Sequence, residues 1–95
     1  MNIALTTRAS AWFQDEMFLN EGDFVRFYVR YGGSSPIHEG FSLGVNKEEP
    51  MDIGVEHRQD GIIYYVEERD IWYFDKYDLL VDYDEITDGP IYEYK

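Results

Sequence analysis

Two histidines and several carboxylates are the side chains in this sequence that could do chemistry. His38 and Glu39 are adjacent in a loop, and an imidazole beside a carboxylate can bind iron or zinc. Such a site needs two further ligands, from another segment or from a second subunit. The pair His38 and Glu39 is therefore a candidate metal site, and an exposed loop is the alternative interpretation.

Two groups of carboxylates, Glu67–Asp70 and Asp82–Glu85, could hold Ca²⁺ or Mg²⁺ or supply an acid and a base for hydrolysis. Neither has the residue order of a calcium-binding loop, which begins D-x-[DN]-x-[DN]-G. Solvated acidic edges are the favoured interpretation, because negative charge on edge strands also opposes aggregation. A metal-binding protein or small metal-dependent enzyme that combines His38 and Glu39 with carboxylates of the first group is an alternative function.

Nucleophilic catalysis has no support in the sequence. The chain contains no cysteine and no Gly-x-Ser-x-Gly segment, and Ser34, Ser35 and Ser42 have no evident His-Asp partners. No catalytic residue is predicted, and a non-enzymatic binding or accessory protein is the leading interpretation.

Arginine and aromatic side chains are the candidates for interaction with a partner. Strand spacing places Arg26 and Arg30 on one face together with two aromatic rings. In so acidic a chain, two aligned arginines either pair with its own carboxylates, which is favoured, or contact an acidic partner. Trp72 and Tyr73 belong to a ring-rich segment that either lies in the core or leaves an exposed patch, and such patches often mark interfaces.

The charge of the chain argues against two classes of partner. Twenty acidic and eight basic residues give a net charge of −12, which repels nucleic-acid backbones and anionic membranes. No run approaches the roughly 20 apolar residues of a membrane span, and residues 1–5 lack the basic flank of a secretory signal. We expect a cytoplasmic protein with a protein partner. Because residues 60–95 carry eleven acids and three bases, an acidic adaptor that docks on a basic surface through this segment is a third hypothesis.

The spacing of apolar residues predicts an α+β fold in one domain of 95 residues. A threonine, Thr6 or Thr7, caps a helix that ends at residues 20–22 and packs on an antiparallel meander. On the strand 24–31, alternate residues from Val25 to Tyr31 are predicted to face the core. The predicted strands are 3–5, 24–31, 41–46, 53–57, 62–67, 79–84 and 91–94, with a second short helix at 68–75.

A glycine-rich turn, Gly32-Gly33, is followed by the segment Gly40-Phe41-Ser42-Leu43-Gly44. Together with Ile3-x-Leu5-Thr6 ahead of a helix and Asp60-Gly61-Ile62 ahead of a strand, this order resembles the HesB-like family of A-type iron-sulfur carriers. The resemblance implies a HesB-like sandwich of mostly antiparallel short strands over residues 1–95. In that family, a cysteine after the glycine pair and a Cys-Gly-Cys near the C-terminus hold iron or a cluster.

The ligands of that family are absent from this sequence. Ser34 or Ser35 stands at the position of the first cysteine, and the closing segment Ile91–Lys95 contains no Cys-Gly-Cys. A serine hydroxyl is too weakly acidic to replace a thiolate ligand. The resemblance therefore implies a cysteine-free branch of the family, without an iron-sulfur cluster or another cofactor, and with a role near iron-sulfur biogenesis by descent.

Overall fold

Two β-sheets and two helices enclose a core whose largest side chains are aromatic in the computed structural model, which describes all 95 residues. The elements are β1 (Ile3–Leu5), α1 (Thr7–Glu16), β2 (Phe24–Ser34), β3 (Glu39–Lys47), β4 (Ile53–Gln59), β5 (Ile62–Glu67), a 3₁₀ helix (Glu68–Phe74), β6 (Leu79–Asp84) and β7 (Gly89–Tyr94). The three-stranded sheet has the order β1-β6-β7, and the four-stranded sheet has the order β3-β2-β5-β4. The predicted α+β class is confirmed, whereas a specifically HesB-like sandwich is not.

The pairing of the strands differs from the predicted antiparallel meander. β2 pairs with β5 in parallel, β1 pairs with β6 in parallel, and β3 and β4 lie at opposite edges of their sheet. The physical reason is burial, because all six residues of β5 are buried and so require a neighbour on each side. β4 alternates between exposed and half-buried residues, which suits an edge strand. The prediction of a meander was therefore wrong, although every predicted strand exists.

Helix α1 is capped by Thr6, one of the two predicted threonines, whose Oγ1 accepts a hydrogen bond from the Ala9 amide at 3.2 Å. The helix buries Ala9, Ser10 and Phe13, and it ends at Glu16, before the predicted stop. The Phe13 ring lies 5.9 Å from that of Phe27 in β2, between centroids, and so joins the helix to the four-stranded sheet. Neither helix is long and apolar enough to cross a membrane.

Strand β2 extends beyond the core at its C-terminal end. Its pairing with β5 covers only residues 24–26, whereas its antiparallel pairing with β3 continues to Ser34. Val25 and Phe27 face the core as predicted, but the Tyr31 side chain is 94% exposed. The assignment of Tyr31 to the core was wrong, because the hairpin of β2 and β3 projects past the strands that would cover it.

The predicted short helix after β5 is confirmed as the 3₁₀ helix. Its residues Tyr73 and Phe74 are buried, and it packs against β4 at Gly54, where the pairing of β4 with β5 shifts register. A Cβ atom at Gly54 would lie 2.7 Å from Cγ1 of Ile71 and 2.9 Å from Cα of Glu68. Glycine is therefore required at this contact, because the helix backbone would have to move to admit any side chain.

We expect Gly54→Ala to lower the free energy of unfolding by about 1 to 3 kcal/mol, the usual cost of forcing extra atoms into a packed contact. Urea unfolding followed by circular dichroism measures this change. Gly89→Ala is the matched control, because a Cβ atom there would meet nothing closer than the Thr87 carbonyl oxygen at 4.0 Å. Equal stability of the two variants would show that the 3₁₀ helix does not rest on Gly54.

Candidate interaction site

Three rings of the β2–β3 hairpin and one ring of the 3₁₀ helix form a continuous surface, which we call the aromatic surface. They are Tyr31 of β2, His38 of the hairpin loop, Phe41 of β3 and Trp72 of the 3₁₀ helix. Ring centroids are 5.3 Å apart for Tyr31 and Phe41, 5.4 Å for Phe41 and Trp72, and 5.5 Å for His38 and Trp72. Edge-to-face packing at these distances favours one fixed arrangement of the rings.

Much of this aromatic surface is open to solvent. Tyr31 is 94% exposed and Trp72 is 52% exposed, whereas Tyr73 is buried, with its ring 5.3 Å from that of His38 and 6.2 Å from that of Trp72. The Tyr73 hydroxyl lies 3.0 Å from that of Tyr94, and burial, together with this hydrogen bond, raises the pKa of Tyr94 far above its usual range. Exposed aromatic rings on a rigid, buried base are typical of protein contact surfaces.

Arg26 of β2 is only 8% exposed. Its Nη1 donates to Oε2 of Glu48 at 2.8 Å, and its Nη2 donates to Oδ2 of Asp70 at 3.1 Å. Burial lowers the pKa of the Arg26 guanidinium, but the two carboxylates outweigh burial and raise that pKa above its ordinary value. Asp70 belongs to the 3₁₀ helix, so this ion pair fixes the helix that carries Trp72 to strand β2.

The two predicted interaction arginines therefore have different surroundings. Arg26 pairs with carboxylates of its own chain, which was the favoured alternative, while Arg30 is exposed at the far end of β2. Arg30 pairs with Ser42 of β3. Cδ of Arg30, together with the ring of Tyr28, fills the space beside Gly44, which has no side chain. Of the two arginines, Arg30 alone presents its charge to solvent.

The candidate metal residues are His38 and Glu39. His38 is half-buried among aromatic rings, and Glu39 is exposed at the start of β3. The chain contains no group of three or more His, Cys, Asp or Glu side chains placed to hold a metal ion. The structure thus brings His38 to aromatic rings and not to the carboxylates of residues 67–70.

The two acidic groups have mainly structural contacts. Asp82 accepts hydrogen bonds from Arg8 at 2.8 and 3.0 Å and from the Thr6 hydroxyl at 2.8 Å. The Arg8 hydrogen bond is the main cause that holds the pKa of Asp82 well below its usual range. Glu67 is 2% exposed and accepts hydrogen bonds from the amides of Met51 and Asp52 at 2.9 and 2.7 Å.

Comparison with known proteins gives the relatives of this chain. It is 50% identical over its whole length to all of a Bacillus subtilis (strain 168) protein named "Pyruvate dehydrogenase inhibitor". The chain belongs to the family of that inhibitor. Uncharacterized proteins of Staphylococcus saprophyticus and Staphylococcus aureus are 40% and 38% identical to it, again over the full length of both chains. No family model matches the chain.

Membership of the inhibitor family corrects the assignment to HesB-like proteins and, with it, the role near iron-sulfur biogenesis. The glycines that carried the resemblance have a local explanation. Gly32, Gly33 and Gly40 adopt positive φ angles of 120°, 68° and 86° at the projecting hairpin, where glycine is favoured by geometry. Turn glycines ahead of a strand are common to many folds, so these motifs did not identify a family.

Sequence reasoning missed two members of the aromatic surface. Phe41 was placed in a strand without a role, and Tyr31 was assigned to the core. The glycine-rich turn could have indicated them. In a hairpin that turns there, Tyr31 lies opposite Phe41, and the two rings form a cross-strand pair.

We expect Arg26→Met to lower the free energy of unfolding by about 3 kcal/mol or more, because it leaves the buried Asp70 carboxylate without its partner. Arg58→Met is the matched control: its ion pair with Glu56 is exposed, so its loss is expected to cost less than about 1 kcal/mol. Urea unfolding of both variants measures the difference. Similar losses in the two variants would contradict a special role for the Arg26 pair.

The buried carboxylate of Glu67 predicts a pH dependence of stability. Burial raises its pKa, but the amides of Met51 and Asp52 outweigh burial and lower the pKa below 4.5. Because the folded pKa is depressed, this contribution to stability is present above the unfolded pKa and is lost as the pH falls through the folded pKa. We expect acidification from neutral pH to below 4.5 to reduce the free energy of unfolding less in Glu67→Gln than in the wild-type chain. Urea unfolding at several pH values measures both losses.

Glu93→Gln, at an exposed carboxylate, is the control and should keep the wild-type loss of stability in acid. If Glu67→Gln also keeps the wild-type pH dependence, the hydrogen bonds to the 51–52 amides do not stabilise the ionised carboxylate.

Proposed function

We propose that this chain is a non-enzymatic inhibitor of pyruvate dehydrogenase and that it acts by binding to the enzyme. The observation that carries the proposal is the identity of 50% over the full length of both chains with the Bacillus subtilis protein of that name. At this similarity over the full length, the two chains share a fold. Residues 1–95 act in this proposal as one cytoplasmic domain whose partner is a protein.

The aromatic surface supports the proposal as the place of contact. Tyr31 and Trp72 give large, amphipathic rings to solvent, and burying such rings contributes most to the affinity of protein complexes. Trp72 packs against His38 and Phe41 in the free chain, so that little of its side-chain entropy is lost on binding. In this proposal Trp72 and Tyr31 touch the enzyme, and Tyr73 supports Trp72 from beneath.

The two arginines have separate roles in this proposal. Arg26 positions the 3₁₀ helix and with it Trp72, whereas Arg30 is free to contact an acidic group of the enzyme near the aromatic surface. A metal ion at His38 and Glu39 stays a prediction, which metal analysis of the purified chain tests.

We expect the purified chain to slow pyruvate oxidation by Bacillus subtilis pyruvate dehydrogenase in a saturable and reversible way. Reversal on dilution would distinguish binding from covalent modification. Tyr31→Ser and Trp72→Ser should each raise the concentration for half inhibition by about tenfold or more, as expected for central aromatic contacts.

Phe18→Ser is the matched control, because Phe18 is an exposed aromatic residue outside the aromatic surface. It should inhibit as the wild type does, and circular dichroism should show that all three variants are folded. If the wild-type chain neither binds nor slows the enzyme, the proposed function is wrong. If it inhibits and the Tyr31 and Trp72 variants inhibit equally well, the contact lies elsewhere on the chain.

A further inference from the structure

The loop between β3 and β4, residues 48–52, holds an exposed apolar side chain on a backbone that is fixed to the core. Met51 is 87% exposed, yet its amide donates to Oε1 of Glu67 at 2.9 Å. The next amide, that of Asp52, donates to Oε2 of the same carboxylate at 2.7 Å. Since Glu67 is almost fully buried at the end of β5, the tip of the loop is tied directly to one of the two inner strands of its sheet.

Both ends of this loop are fixed as well. At the first end, the Glu48 carboxylate binds Arg26, and the Glu48 carbonyl accepts a hydrogen bond from the buried hydroxyl group of Tyr65 at 2.7 Å. At the other end, the Asp52 carbonyl accepts a hydrogen bond from the Glu68 amide at 2.8 Å. A loop held in this way loses little conformational entropy when it binds, so its exposed methionine is presented in a ready conformation.

A shallow groove lies on each side of the loop. One, of about 260 Å³, is lined in part by Phe24, Lys47 and Glu49. The other, of about 190 Å³, is lined by Met51, Asp52, Glu67 and Arg69. Both grooves are therefore lined in part by residues of the loop, and Met51 is its exposed large apolar side chain.

The charges beside Met51 indicate the chemistry of what it meets. Glu49 and Asp52 are both exposed, and neither takes part in any of the five ion pairs of the chain. Arg69, which lines the groove beside Met51 and Asp52, is exposed as well, so the two carboxylates outnumber one cation around the methionine. An apolar tip between two free carboxylates is complementary to an apolar pocket with basic side chains at its rim. Methionine suits such a pocket because its flexible thioether adapts to the shape that it enters.

We propose that residues 48–52 form a docking loop that inserts Met51 into an apolar pocket of pyruvate dehydrogenase rimmed by lysine or arginine, with Glu49 and Asp52 facing that rim. The proposal rests on the proposed function for the identity of the partner. It adds a second contact to the aromatic surface, with a different chemistry. Arg26 binds both supports, Glu48 of the loop and Asp70 of the 3₁₀ helix, and so holds the two contacts in a fixed relation.

The test measures the dissociation constant of the chain for purified Bacillus subtilis pyruvate dehydrogenase by calorimetry at several salt concentrations. Met51→Ser is expected to weaken binding by about tenfold or more, the effect of removing a central apolar contact. The double variant Glu49→Gln/Asp52→Asn is expected to bind less tightly at low salt and to show a weaker dependence of affinity on salt. Both changes are at exposed side chains and leave the backbone hydrogen bonds to Glu67 in place.

Each test variant has a control variant in the β6–β7 hairpin of the three-stranded sheet, at side chains of similar exposure and chemistry. Ile86→Ser removes an exposed apolar side chain from the turn between β6 and β7, and Glu85→Gln/Glu93→Gln removes two exposed carboxylates. Both controls should keep the wild-type affinity, and the charge control should keep the wild-type salt dependence.

The outcomes separate this inference from the proposed function. If the wild-type chain inhibits the enzyme and Met51→Ser binds equally well, the docking loop is overturned while the function stands. If the wild-type chain does not bind the enzyme, both are overturned. If Met51→Ser abolishes self-association of the chain in sedimentation and leaves enzyme binding unchanged, the loop is a contact between copies, which also overturns the inference.

Discussion

The buried guanidinium of Arg26 is the group on which the arrangement of the surface depends. It sits in a strand of the four-stranded sheet and binds one carboxylate from the loop after β3 and another from the 3₁₀ helix after β5. A buried charge of this kind is costly unless it is paired, so the two carboxylates are held where the guanidinium can reach them. Segments that are about twenty and forty residues away in sequence are thereby fixed to one strand.

Glu67 completes this constraint from the neighbouring strand. Arg26 holds the beginning of the 48–52 loop, and Glu67 holds its tip through two backbone amides. The 3₁₀ helix starts at the next residue after Glu67, so the loop and the helix share an anchor at the end of β5. Polar groups buried beneath the surface therefore determine where the exposed rings and the exposed methionine stand.

Elements with a clear period could be predicted from the sequence, and their pairing could not. β5 and β6 were predicted with their bounds, and Thr6 was among the predicted caps, because each depends on residues close in sequence. Which strand lies beside which depends on how much of each is buried in the assembled sheet, and alternation alone does not report this. The same limit explains Tyr31, whose place in the strand pattern was right but whose stretch of strand extends beyond the core.

The functional surface was harder to predict than the fold, because its parts come together only after the chain has folded. Trp72 was a candidate from the sequence, and Phe41 could be found only through its pairing with Tyr31 across the hairpin. Met51 carries no local signal that separates a contact from an ordinary surface residue. The glycines near residue 33 carried a strong local signal, which reported the geometry of a hairpin and was mistaken for ancestry. Short motifs record what the backbone requires, whereas a binding surface is set by which side chains the fold leaves outside, and that is decided by long-range contacts such as those of Arg26.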